Sequence, residues 1–104
     1  MAATDATIER AGEALVFAGA LDRAAAAALW PTASKMLAGA QRIVLTKVTS
    51  VDSAGLALLA ELAARLRAAG AAPRIEGEPA GLSELRTAYR LTSGLDFPGT
   101  TPTP

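Results

Sequence analysis

Ile43, Val44 and Leu45 stand consecutively near the middle of this 104-residue chain, with no polar residue between them. A β-branched apolar run of this kind reads as a strand buried on both faces within a sheet, because a strand with one wet face would alternate. The segments on either side are rich in Ala and Leu at helical spacing. Strand and helix therefore alternate along the chain, the pattern of a sheet layer covered by helices. Residues 42–46 are read as the central strand.

The preceding sequence supplies a hairpin and a helix. Residues 14–19 carry Leu15, Val16 and Phe17 between Gly12 and Gly19 and read as a strand, with residues 8–10 as its antiparallel partner across a short turn at 11–13. Asp22 is placed to cap a helix that runs through Leu29, Met36 and Leu37 and ends at Gly39. Pro31 falls inside that helix and predicts a kink, with two abutting helices as the other arrangement. After the central strand, residues 47–55 read as a polar loop, followed by a helix over 54–69 closed by Gly70. A short strand at 73–76 and a helix at 80–91 complete the set. The expected architecture is α/β: a mixed four- to five-stranded sheet with helices mainly on one face, forming one domain over residues 1–94. The Thr- and Pro-rich residues 95–104 are expected to be a disordered tail.

Composition narrows the function classes. The chain has no Cys and no His, which excludes thiol nucleophiles, Ser-His-Asp triads and zinc sites built on nitrogen and sulfur. Ten basic residues balance ten acidic ones, so no field draws the protein onto nucleic acid or anionic lipid. The uncharged run at 24–34 is far short of a membrane span, and residues 1–7 lack a basic segment followed by an apolar one. No membrane insertion is expected, and a cytoplasmic location is. Gly77 and Gly81 have no Lys at phosphate-loop spacing, and Asp22 is already assigned as a cap rather than as half of a carboxylate pair with Asp52. No catalytic residue, cofactor or metal is expected.

The informative segment is the 54–69 helix and the residues before it. Gly55, Leu56, Leu59, Leu62, Ala63 and Leu66 form one stripe at 3/4 spacing and face the sheet. Ala54, Leu58, Glu61 and Arg65 form a second stripe, bordered by Ala57, Ala60 and Ala64. Leu58 reads either as a shoulder of the core or as part of a docking face, and Glu61 with Arg65 as an i,i+4 ion pair. Local chemistry makes Ser53 the helix cap. The same hydroxyl, beside Asp52 at the positive end of a helix, is also a place where a phosphate would add about two negative charges to a docking surface. Trp30 and Tyr89 each read either as packing residues or as marks of a contact surface.

The block Val51-Asp52-Ser53-Ala54-Gly55-Leu56, preceded by the buried strand, resembles the STAS family, and the element order agrees with it from about Leu15 to Leu91. Leu21-Asp22, Leu29-Trp30 and Tyr89-Arg90-Leu91 extend the likeness, the last two towards the Mla-type branch associated with phospholipid-moving ABC transporters. That resemblance implies a non-enzymatic subunit that binds the cytoplasmic ATPase of such a transporter, and is held peripherally at the inner membrane through the complex. The surface it implies comprises Thr49, Ser50, Asp52, Ser53, Ala54, Leu58, Glu61 and Arg65. In the transporter branch the position of Ser53 is usually Thr and is often followed by two Gly. A Ser there is what the sigma-regulating branch phosphorylates. The alternative implied is therefore an anti-sigma-factor antagonist whose partner is an anti-sigma factor serine kinase.

Overall fold

The computed structural model describes residues 6–91, so the expected domain end at 94 and the 95–104 tail lie outside the described residues. Seven elements follow in order: β1 (Thr7–Ala11), β2 (Ala14–Leu21), α1 (Arg23–Lys35), β3 (Arg42–Val51), α2 (Ser53–Ala68), β4 (Arg74–Glu76) and α3 (Leu82–Ala88). The sheet has four strands in the order β1-β2-β3-β4. The β1–β2 hairpin is antiparallel, with Ile8 opposite Phe17 and Ala11 opposite Ala14, and β3 and β4 add in parallel. Both parallel crossovers step the same way across the sheet. Right-handed connection then places α1 and α2 on the same face, where they pack against each other and the strands.

Leu15, Phe17, Ile43 and Leu45 point into this single core and meet Leu29, Leu59 and Leu62 from the helices. The other face of the sheet is only half-covered. Val44 is intermediate in exposure, so the Ile43-Val44-Leu45 run is not buried on both sides as its composition suggested.

β3 differs from expectation in length. It continues through residues 47–51, which read as part of a polar loop; the buried positions Leu45, Val48 and Val51 fall three apart instead of alternating. The pairing explains this spacing. Val16 pairs with Val44 but Ala18 with Lys47, and Gly19 pairs with Val48 but Ala20 with Ser50, so β3 carries two bulges. Each extra residue flips the inside/outside alternation.

α1 runs through Pro31 as one helix rather than two, and stops at Lys35 instead of Gly39. Its end is set from outside: the Arg10 guanidinium on β1 donates to the carbonyl of Met36 at 2.6 Å, and to that of Gly12 at 2.6 Å. α2 and α3 finish on one motif. After α2, the amide of Gly70 bonds the Arg67 carbonyl and that of Ala71 the Leu66 carbonyl, with Gly70 at φ +91°. After α3, Arg90 bonds Thr87 and Leu91 bonds Arg86, with Arg90 at φ +57°. Both are Schellman caps. Among the described residues no helix is long and apolar enough to cross a membrane.

Candidate protein-binding surface

The surface begins where two parallel strands end side by side. Leu21 and Val51 are paired, and the next residue on each strand is an Asp that caps the following helix. Asp22 accepts from the amide of Ala25 at 2.9 Å, and Asp52 from that of Gly55 at 2.9 Å. Asp52, not Ser53, is therefore the cap of α2. Both residues have cap chemistry, and tertiary structure chooses between them. The Asp52 amide is fastened to the Leu21 carbonyl at 3.1 Å, which holds Asp52 in extended backbone and makes Ser53 the first helical residue.

Gly55 sits directly on the same carbonyl. A Cβ at this position would lie 2.0 Å from the Leu21 oxygen, well inside contact distance. Only glycine lets the first turn of α2 approach β2 this closely, and that approach sets how far the helix stands from the sheet.

Ser53, in the first turn, is exposed. It lines a shallow apolar groove of about 240 Å³ with Leu56, Ala57, Ala60, Tyr89 and Leu91. Tyr89 is 49% accessible, the one large apolar side chain in the exposed class among the described residues. On the opposite flank of α2 a wider groove of about 520 Å³ separates it from α1, lined by Ala26, Ala27, Trp30, Ala54, Ala57, Leu58 and Glu61. Ala57 belongs to both grooves and forms the ridge between them.

Of the eight residues expected to bind a partner, Asp52 is engaged in capping α2 and the other seven fall into three groups. Ala54, Leu58 and Glu61 lie together on the wider groove, and Arg65 joins them through two contacts. Its guanidinium meets Glu61 at 3.0 Å, and its Cζ stands 4.8 Å from the centre of the Trp30 ring. Ser53 faces the narrower groove. Thr49 and Ser50 are exposed but lie on β3 and line neither groove.

Of the two readings of Leu58, the structure supports the shoulder of the core. The residue is 5% exposed and belongs to the core cluster, closing the gap between α1 and α2 as the floor of the groove. An Asp at this position would place an unpaired charge in the interior and unfold the chain before it could report on docking. The accessible part of this flank is the charged end of the second stripe and the bordering Ala57. Trp30, half-buried, packs towards α2 beneath Arg65 and is one wall of the groove. Ala26, Ala27, Ala57 and Ala60 were not singled out as contact residues. The signal available for α1 was its run of Ala from 24 to 28, which gives a helix face nothing larger than methyl groups.

Among the described residues no group of three or more His, Cys, Asp or Glu gathers to hold a metal. Glu76 and Arg42 pair on the β3–β4 edge, 2.7 Å apart. The hydrogen bond from Arg42 holds the Glu76 carboxyl below its usual value, and the same bond raises Arg42.

Comparison with known proteins bears on the fold and the family. The structure of the anti-sigma factor antagonist SpoIIAA in its unphosphorylated form aligns with a TM-score of 0.59 at 18% identity, covering 82% of this chain and 81% of that one. This likeness establishes the shared fold. A crystal structure of Mglu aligns with a TM-score of 0.52 at 26% identity over 69% of this chain, which spans only 19% of that larger protein. No curated protein matches significantly. The family model described as "Mlab, STAS domain" matches residues 5–96. The chain belongs to this family and is a STAS domain of the MlaB-like type.

Proposed function

We propose that this chain is a non-catalytic subunit that binds and regulates the cytoplasmic ATPase of a phospholipid-transporting ABC complex of the Mla type. The observation that carries the reading is the pair of apolar grooves on either side of the Ala57 ridge. Alanines and leucines make up most of their lining, Trp30 walls the wider groove, and Ser53 and Tyr89 line the narrower one. Such a surface fits close approach by another polypeptide. Aromatic residues beside a flat alanine face supply anchors, and short side chains lose little entropy when covered. Neither groove gathers the convergent polar groups that would fix a small substrate. The family membership supports choosing an ABC ATPase over other partners.

Affinity capture of the purified ABC ATPase by the full-length chain tests this directly. Complex formation with a matching change in ATP hydrolysis is expected. A folded wild-type chain that captures no ATPase would refute it. One observation favours the second reading, an anti-sigma-factor antagonist: the exposed Ser53 is not consumed in capping the helix, a task that Asp52 performs. Incubation with an anti-sigma factor serine kinase followed by mass spectrometry decides that case, with phosphate on Ser53 as the supporting result.

A further inference from the structure

Arg90 is the one non-glycine residue with positive φ among those described. The same place after α2 is held by Gly70, and the two caps make equivalent backbone hydrogen bonds. Glycine at 90 would satisfy those bonds without crowding a Cβ, so the backbone gives no reason for a long cationic side chain at a left-handed position. Strained residues of this kind gather at working surfaces. Arg90 stands between Tyr89 and Leu91, both of which line the groove beside Ser53. Its side chain is exposed and, among the described residues, forms none of the ion pairs found.

We propose that Arg90 is a specificity residue of the partner surface, its guanidinium receiving a carboxylate of the docked protein while Tyr89 and Leu91 cover apolar area beside it. The inference rests on the protein-binding reading of the grooves. A positive charge just past the end of α3 also complements the helix dipole, but Lys would serve that purpose equally. A planar fork that grips both oxygens of a carboxylate is what separates Arg from Lys.

The test is calorimetric titration of the ATPase subunit with wild type, Arg90→Gly and Arg90→Lys at two salt concentrations, with thermal unfolding of each chain alone. Arg90→Gly is expected to melt a few degrees higher yet bind about three- to tenfold more weakly with a shallower salt dependence. Arg90→Lys is expected to fall between the two in affinity. Equal affinity of wild type and Arg90→Gly would overturn the role of Arg90 and leave the surface standing. Failure of folded wild type to bind would overturn both.

Discussion

The β2–α1 and β3–α2 junctions are near copies in backbone and differ in what they present. Asp22 and Asp52 have almost the same dihedral angles, φ −103° and ψ −172° against φ −100° and ψ −174°. Each accepts from the amide three residues on at the same distance. Past the cap the two diverge. α1 continues with Arg23, Ala24 and Ala25, whereas α2 continues with Ser53, Ala54 and Gly55, and the last is pressed onto the backbone of the neighbouring strand. The comparison separates two roles. The Asp caps build the fold, and the residues after the second cap set the spacing and chemistry of the exposed surface.

The largest expected effect comes from closing the gap that distinguishes α2. Gly55→Ala forces either the helix or the end of β2 to move, and should cost about 2–3 kcal/mol, measured by urea unfolding. Its counterpart Ala25 already carries a Cβ in the core, so the cost is specific to the second junction. A stability loss below about 0.5 kcal/mol would show that the close approach is not a constraint.

The caps themselves should be nearly interchangeable. Asp22→Ala and Asp52→Ala are each expected to lose about 1 kcal/mol, matching one another within the error of thermal unfolding. Asp52→Ala should weaken partner binding more than Asp22→Ala, because the start of α2 lines both grooves whereas the start of α1 lines only the wider one. Equal effects on binding from both would erase the distinction drawn here.

The smallest effect lies far from either junction and serves as a baseline. Glu76 is held below its ordinary value of 4.5 by its bond to Arg42. A carboxyl lowered in the folded state stabilises fully above the unfolded value, and that contribution is lost as pH falls through the lower folded value. Glu76→Gln should therefore flatten a shallow acid-side slope in a pH series of melting temperatures, leaving binding near neutral pH unchanged.

Much of the framework was legible because it follows from local pattern. The hairpin, the Asp22 cap and the sheet-facing stripe from Gly55 to Leu66 depend on spacing that a chain carries by itself, and the structure keeps them. The misreadings have long-range causes. Residues 47–51 looked like a loop because two bulges against β2 reset the alternation, which appears only when the partner strand is in place. Ser53 looked like the cap because the Leu21 carbonyl that fixes Asp52 is 31 positions earlier in the sequence. Leu58 stays open between core shoulder and docking face in the sequence because the α2 pattern says nothing of where α1 lies across it. The candidate surface was thus legible as a helix end and a stripe. Its division into two grooves around Ala57 was not.

Ala57 gives the most direct measurement of the central claim. The residue is exposed, makes the ridge between the grooves and has no part in the core. Replacing it with Arg keeps good helix propensity and sets a long charged side chain across both grooves. Binding of the ABC ATPase to Ala57→Arg, titrated beside its thermal unfolding, should fall by at least about tenfold while the melting temperature stays near that of wild type. Wild-type affinity in that variant would contradict the account.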